Sequence, residues 1–272
     1  QQHRDIFYLS GIDQEESILL LFPDAKNSNY REVLFVKKTN NHIAVWEGAK
    51  LSQKEATNIS GIQTVLWTDD FNSLFNQLTK EAKSIYFNTN EHYRANIETQ
   101  TREDRFIEWA KKKYPTHQHE KSNFILQRLR SLKHKEEICQ IQQAINITEK
   151  GFRRVLDFVR PGVWEYEIEA EFVNEFIKNR SKGFAYSPII ASGRNSNVLH
   201  YTQNNSKCQS GDLILIDVGA EYGNYASDMT RTIPVSGKFT PRQRSVYDAV
   251  RKIGEESMQL IVPGTLIKEY NQ

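Results

Sequence analysis

An apolar stretch that ends in an acidic residue constrains the fold of this chain more than any other feature of its sequence. In residues 211–219, GDLILIDVG, two isoleucines point to one side of an extended strand, while two leucines and Asp217 point to the other side. Apolar residues on both faces are typical of a strand that is covered on both sides. The segment therefore predicts an interior strand, and we expect Asp217 to be buried.

A second acidic residue returns on the strand that follows. If the turn between the strands is centred on Tyr222 and Gly223, Asp228 lies directly opposite Asp217, with the two Cβ atoms about 5 Å apart. Two buried carboxylates at that separation repel each other, so they must share a proton or be neutralised by a cation. Carboxylate oxygens suit Mn, Mg or Ca, although two residues leave coordination positions unfilled. The pair predicts a metal site with further ligands; a turn-capping carboxylate or an exposed strand is the alternative.

Two further residues near this pair are candidates for the same site. His200 lies in the segment 198–202, VLHYT, and is the nearest histidine upstream of Asp217. A single histidine among apolar residues is more often structural than a metal ligand. Thr230 follows Asp228 by two positions on the same face, so its hydroxyl could orient a ligating carboxylate, although threonine is common in strands.

The first part of the chain predicts an α/β domain. Short runs of β-branched and aromatic residues, each typical of a strand, occur at 18–22, 32–36, 43–46, 64–67 and 85–88. Apolar residues at helical spacing predict helices over 69–83 and 97–113. Residues 114–123 contain a proline and two histidines without periodicity, which indicates a linker. We expect this domain to span residues 1–123.

The second part of the chain, residues 124–272, predicts an α+β domain. Its first two helices each carry one apolar face and are separated by the pair Pro161-Gly162, which ends the first of them. The start of a later helix is predicted by Thr240 as N-cap with Pro241 at the first helical position. Strands are predicted at 189–191, 213–218 and 225–234.

Composition and motifs exclude several classes of protein. The 36 basic and 34 acidic residues give a net charge of +2, so no nucleic-acid-binding surface is evident. No apolar run approaches the roughly 20 residues that a membrane-spanning helix needs. Cys139 and Cys208 are too few to cross-link a chain of 272 residues, so we expect free thiols and a reducing, cytoplasmic setting. The sequence contains no serine-nucleophile, phosphate-loop, dinucleotide or Cys-x-x-Cys motif.

Three motifs together resemble one metallopeptidase family. They are LHYT at 199–202, ILIDVG at 214–219 and DMTRT at 228–232, and the likeness extends to FYLSG at 7–11, RLRSLK at 128–133 and Pro263-Gly264. At these positions the chain is similar to the aminopeptidase P (Xaa-Pro aminopeptidase) branch of the pita-bread metallopeptidases, which are related to prolidase, creatinase and methionine aminopeptidase. The resemblance implies a creatinase-like α/β amino-terminal domain followed by an α+β pita-bread catalytic domain.

The same resemblance implies roles for particular residues. Asp217 and Asp228 match the metal ligands of a site for two divalent ions, usually Mn²⁺, with Asp228 bridging. His200 matches a catalytic residue that shapes the substrate near the scissile bond, and Tyr186 matches a tyrosine of the substrate pocket. The implied reaction is hydrolysis of the bond between any first residue and a following proline, by a hydroxide that the two metals bridge. A peptide substrate and a homodimer or homotetramer are implied as well.

The sequence departs from the family pattern at its end. The family's remaining ligands, one histidine and two glutamates, and a further proton-handling histidine would follow Gln272. We therefore expect a shortened catalytic domain that binds metal weakly and has no peptidase activity by itself. Two alternatives stay open: a prolidase that acts on dipeptides, and a non-catalytic relative that serves as an assembly or binding module.

Overall fold

The computed structural model describes residues 4–89 and 99–271. The chain folds as two compact units, Gln1–Leu132 and Lys133–Gln272. Among the residues described, no helix is both long and apolar enough to span a membrane.

The first unit alternates helices and strands along the chain. The helix predicted over 97–113 is observed from Arg102, and residues 97 and 98 lie outside the described part. Helix α5 (Arg102–Lys113) begins at a capping box, in which Thr101 accepts from the backbone N–H of Asp104. The elements are α1 (Arg4–Ser10), β1 (Ile18–Leu21), β2 (Glu32–Val36), α2 (Asn41–Glu47), α3 (Gln53–Ser60), β3 (Thr64–Trp67), α4 (Phe71–Thr79), β4 (Ser84–Phe87), α5 (Arg102–Lys113), β5 (Gln118–Lys121) and α6 (Asn123–Ser131).

Strand β2 forms the centre of a three-stranded sheet in the order β1-β2-β3. It runs antiparallel to β1 and parallel to β3. Residues 33–36 are completely buried because helices cover both faces of the strand. Leu34 packs in one cluster with Ala56 of α3, and Phe35 packs in another with Phe71 of α4. The α/β class predicted for this part of the chain is confirmed.

Two local predictions for this unit are wrong. Residues 43–46, predicted as a strand, lie in helix α2, where Val45 and Trp46 are 80% and 79% exposed and so are not drawn into the core. A run of four apolar residues does not distinguish a helix from a strand. The segment 114–123, predicted as a linker, contains β5, which pairs in parallel with β4. Because the side chains of β5 are polar and none is buried, no apolar alternation marks the strand in the sequence.

The boundary between the two units lies after helix α6. Asn123, at the start of α6, accepts a hydrogen bond from the hydroxyl of Thr89 at 2.9 Å. Arg130, near the end of the helix, forms an ion pair with Asp5 at 2.6 Å. Both partners lie in the first unit, so α6 belongs to it, whereas the sequence analysis places the boundary between residues 123 and 124.

The second unit begins with two helices and continues into a sheet. Strand β7 (Leu213–Val218) is the centre of its sheet, between β10 (Met229–Pro234) and β6 (Ile189–Ser192), and both neighbours run antiparallel to it. The elements are α7 (Lys135–Phe158), α8 (Glu165–Lys178), β6 (Ile189–Ser192), β7 (Leu213–Val218), β8 (Glu221–Tyr222), β9 (Tyr225–Ala226), β10 (Met229–Pro234), α9 (Pro241–Leu260) and α10 (Ile267–Tyr270).

The core of this unit lies between β7 and the helix pair α7 and α8. Ile214 and Ile216 are completely buried and pack in one cluster with Phe172 of α8. The two helices approach closely at Gly151, where an added Cβ would lie 2.7 Å from the Phe172 ring. This packing confirms the α+β class and the orientation predicted for the two isoleucines, and it leaves the opposite face of β7 to the candidate site.

Candidate metal centre

The hairpin that carries the two aspartates has a different register from the predicted one. Thr230, and not Asp228, is the direct partner of Asp217 in the ladder between β7 and β10. The turn is centred on Gly223 and Asn224, which have φ values of 57° and 65°. A two-residue hairpin turn of type I′ needs positive φ at both central positions, which Gly and Asn tolerate and a tyrosine does not. The predicted turn at Tyr222 and Gly223 is therefore wrong.

The two aspartates nevertheless lie on the same face and converge on one atom. Side chains in a strand alternate with a period of two, so a register change of two residues keeps Asp228 on the face of Asp217. The hydroxyl of Tyr186 donates to Oδ1 of Asp217 at 2.7 Å and lies 3.0 Å from Oδ1 of Asp228. A single phenol therefore brings together one oxygen from each carboxylate.

The exposure of the pair differs from the prediction. Asp217 is half-buried and Asp228 is exposed, so the expectation of two buried carboxylates is wrong. The isoleucine face of β7 is covered by α7 and α8, whereas Leu215, on the face of Asp217, is only half-buried. Water therefore reduces the repulsion between the carboxylates, and their convergence, rather than their burial, carries the argument for a cation.

Tyr186 keeps its proton at this site. Burial raises the pKa of the phenol far above its ordinary value of 10.0, and the hydrogen bonds to Asp217 and Asp228 raise it further because both carboxylates accept from the protonated form. The tyrosine is thus a fixed donor that orients two acceptors. It stands out in the sequence only through the family resemblance, because an isolated tyrosine after a helix has no pattern that marks it.

The backbone next to Asp228 is held by a close approach that sequence reasoning missed. A Cβ on Gly219 would lie 1.9 Å from the carbonyl oxygen of Ser227 and 3.0 Å from Cε1 of Tyr186. The hydroxyls of Ser227 and Thr148 lie 2.7 Å apart, and both accept from the backbone N–H of Ala220 at 2.9 Å. Glycine at position 219 therefore allows both the Ser227 backbone and the Tyr186 ring to approach this position closely.

The other two predicted residues are both exposed, and only Thr230 is placed next to the pair. Thr230 is exposed and lies directly across the ladder from Asp217. His200 is exposed in the loop that follows a 3-10 helix, Gly193–Asn197. Within the described residues, no hydrogen bond or ion pair joins His200 to either aspartate.

The donor chemistry of the pair fits part of a divalent metal site. Asp217 and Asp228 present carboxylate oxygens on one half-exposed face, and such oxygens are the ligands that Mn²⁺, Mg²⁺ and Ca²⁺ prefer. Residues 4–89 and 99–271 contain no group of three or more His, Cys, Asp or Glu side chains that could hold a metal ion. The pair would therefore need further ligands to complete a coordination sphere.

Comparison with known proteins assigns both halves of the chain. Residues 139–272 match the model of metallopeptidase family M24, and residues 1–86 match the aminopeptidase P amino-terminal domain. Residues 139–272 are therefore similar to metallopeptidase family M24. The M24 match contains both aspartates, Tyr186 and the whole β7–β10 hairpin, so the resemblance stated from the three motifs is confirmed.

Curated proteins that are similar to this chain include Xaa-Pro aminopeptidases. The Xaa-Pro aminopeptidase of Escherichia coli K12 is 32% identical over 99% of this chain and 61% of its own length. Xaa-Pro aminopeptidase 3 of Homo sapiens is 28% identical over 98% of this chain and 52% of its own length. This chain thus spans about half to three fifths of the length of these curated relatives.

Solved structures confirm the pita-bread class of fold. Proline aminopeptidase P II from Yersinia pestis matches with a TM-score of 0.86 at 32% identity, covering 100% of this chain and 62% of that one. A zinc-substituted E. coli aminopeptidase P in complex with product matches with a TM-score of 0.86 at 31% identity, and the match covers 62% of that chain. This chain therefore has the same fold as these aminopeptidase P structures over the residues that match.

Proposed function

We propose that the protein is a metal-dependent Xaa-Pro aminopeptidase, which hydrolyses the bond between the first residue of a peptide and a proline at the second position. The observation that carries the proposal is the convergence of Asp217 and Asp228 on the Tyr186 hydroxyl, in a segment that is similar to the M24 family. It is supported by the Xaa-Pro aminopeptidases to which the chain is similar over nearly all its residues.

In this proposal Asp217 and Asp228 hold two divalent cations together with further ligands. When bound, such cations polarise a peptide carbonyl and stabilise the negative charge that develops on its oxygen. Tyr186 keeps its proton and orients one oxygen of each carboxylate. Thr230 supports Asp217 from across the ladder, and His200 contacts the substrate next to the scissile bond.

The cation, the cellular location and the assembly are proposed separately. Manganese is proposed as the cation because the family that the chain resembles usually holds Mn²⁺, which carboxylate ligands suit. A cytoplasmic location is favoured because Cys139 and Cys208 are both free thiols, as in a reducing compartment. We propose a homodimer or homotetramer by analogy with the family alone.

Metal binding is tested first, by calorimetric titration of the metal-free protein with Mn²⁺. Asp217→Asn and Asp228→Asn should each weaken binding by more than the ~10- to 100-fold that follows loss of an outer partner of a metal ligand. The matched control is Asp212→Asn, whose carboxylate accepts from the backbone of Gln209 at 3.1 Å before β7 begins. Equal affinities in all three variants and the unaltered protein would overturn the proposed ligands.

Activity is tested with peptides that differ only in their second residue. In the protein with its full set of metal ligands, a peptide with proline at that position should be cleaved in the presence of Mn²⁺, while the same peptide with alanine should not. Cleavage of Xaa-Pro dipeptides but not of longer peptides would favour the prolidase alternative. Metal binding without turnover of any Xaa-Pro peptide would favour the non-catalytic alternative and contradict the proposed activity.

A further inference from the structure

Glu165, at the start of α8, is a completely buried carboxylate outside the candidate metal centre. Its Oε1 accepts from the backbone N–H and the hydroxyl of Ser192, both at 2.7 Å, and from the side-chain amide of Asn195 at 3.2 Å. Its Oε2 accepts from the Tyr201 hydroxyl at 2.7 Å and from the backbone N–H of Ser206 at 2.8 Å. In the described part of the chain, no lysine, arginine or histidine forms an ion pair with it.

Such a carboxylate is expensive to bury unless donors fill its lone pairs. Five donors on two oxygens fill them almost completely, and they replace the water that the ionised group loses. The start of a helix also favours negative charge. Removing this acceptor would leave several buried donors without a partner, so Glu165 holds its surroundings in one arrangement.

All five donors belong to one segment of chain, residues 192–206, which we call the anchored loop. Ser192 opens the loop at the end of β6, Tyr201 lies within it and Ser206 closes it. The residue before Tyr201 is His200, which is exposed, and Leu199 beside it is 84% exposed. The loop is therefore tied at its base and its middle while it presents a histidine and an apolar side chain outward.

A second contact relates the anchored loop to the strand that carries Asp217. The side chain of Asn204 accepts from the backbone N–H of Ile190 at 3.0 Å and donates to the carbonyl oxygen of Pro188 at 3.1 Å. Ile189, between these two residues, is the direct partner of Asp217 in the ladder between β6 and β7. The loop that bears His200 is thus fixed to β6, the strand that pairs with the strand of the candidate metal ligand.

We infer that Glu165 is a positioning residue, which acts through the anchored loop to place His200 and Leu199 against the peptide substrate near Asp217. The inference rests on the proposed function, since a peptide is the molecule that His200 would contact. Glu165 itself does not touch the substrate. Its role is to hold one loop conformation before the substrate binds, which lowers the entropy that ordering the loop would otherwise cost.

Loop anchoring is tested by amide hydrogen exchange, independently of activity. Glu165→Gln replaces one acceptor oxygen by an amide donor, and we expect exchange of residues 193–206 to become at least about tenfold faster. The matched control is Glu167→Gln in the same helical turn, which removes only the charge of the side chain that caps the backbone N–H of Trp164 at 2.7 Å. Unchanged exchange of the loop in folded Glu165→Gln would overturn the inference.

Positioning is separated from mere stability by a double-mutant cycle with His200→Ala. If Glu165 acts through His200, Glu165→Gln should lower kcat/KM about tenfold when His200 is present. The same substitution should lower kcat/KM by less than about twofold when residue 200 is alanine, because the residue through which Glu165 acts is then missing. Equal losses in both backgrounds would show that the effect does not pass through His200 and would overturn the positioning role.

A milder variant keeps the inference testable if Glu165→Gln does not fold. Tyr201→Phe keeps the ring in place and removes one of the five donors, so it should change loop exchange and kcat/KM in the same direction as Glu165→Gln, by a smaller factor. No change in either quantity would contradict the inference. Absence of turnover in the unaltered protein would overturn the proposed function, whereas the exchange experiment would still decide whether Glu165 anchors the loop.

Discussion

Asp217 and Thr230 are direct cross-strand partners in the ladder between β7 and β10. Side chains directly opposite each other in an antiparallel pair lie about 4.5–5.5 Å apart at Cβ, so the Thr230 hydroxyl is within reach of the Asp217 carboxylate. Partners of this kind set the orientation of a metal ligand. The pairing therefore gives a structural basis to the role that the sequence analysis proposes for Thr230.

Replacing Thr230 by valine should weaken Mn²⁺ binding about tenfold, because the shape is kept and only the hydroxyl is lost. Since Thr230 is exposed, the free energy of unfolding should change by no more than ~0.5 kcal/mol. Calorimetry measures the first quantity and urea unfolding the second. Thr232→Val, whose direct partner is Leu215, is the control and should leave Mn²⁺ affinity unaltered.

Replacing Tyr186 by phenylalanine should lower Mn²⁺ affinity by ~10- to 100-fold, because the carboxylates lose the donor that brings them together. Titration of the metal-free variant with Mn²⁺ checks this. Tyr225→Phe is a suitable control, since that hydroxyl donates to Glu137 at 2.7 Å and not to the metal site. A gain in affinity on loss of the hydroxyl would mean that Tyr186 competes with the cation, contrary to its proposed orienting role.

Gly219→Ala should destabilise the protein by ~1–3 kcal/mol, as overpacked sites do, because the new Cβ collides with the backbone of Ser227. The free energy of unfolding in urea is the measurement. Gly254→Ala is a control of opposite sign: it lies exposed inside α9 with no atom within 4 Å, and it should stabilise by ~0.5–1 kcal/mol through helix propensity. If the two variants had equal stabilities, the close approach at Gly219 would be refuted.

The two thiols should react at very different rates. Cys139 is exposed, whereas Cys208 is buried, and burial raises the pKa of Cys208 to about 11. At pH 8 a thiol reagent should modify Cys139 quickly and Cys208 only after unfolding. Cys139→Ser should remove the fast phase and leave the slow phase; two equally fast phases in the unaltered protein would contradict the burial of Cys208.

The same thiol predicts a pH dependence of stability. In the unfolded chain Cys208 loses its proton near its ordinary pKa of 9.0, while in the folded protein it keeps the proton until about pH 11. The contribution is therefore fully present below pH 9 and is lost as pH rises from 9 to 11, because the unfolded state binds fewer protons. Urea unfolding at pH 8 and pH 10.5 should show a smaller decrease for Cys208→Ala than for the unaltered protein.

Predictions from sequence were accurate where an element is defined by its own residues. The strand 213–218 is recognised by its apolar run and helix α9 by its cap at Thr240, and both are observed. The same reasoning failed at residues 43–46, where four apolar residues lie in a helix. It also failed at β5, whose side chains are polar and which forms a strand because its backbone pairs with β4. For β5 the deciding contacts lie outside the segment, in its pairing with β4.

For the candidate site, the sequence was sufficient to place Asp217 and Asp228 on one face, because side-chain alternation survives a register change of two residues. Which residues meet there depends on tertiary contacts. The turn at Gly223 and Asn224 sets Thr230 opposite Asp217, and the close approach at Gly219 lets Tyr186 bridge the two carboxylates. These contacts join residues that are distant along the chain. They depend on packing, which no local pattern of apolar and polar residues encodes, and so they could not be predicted from the sequence.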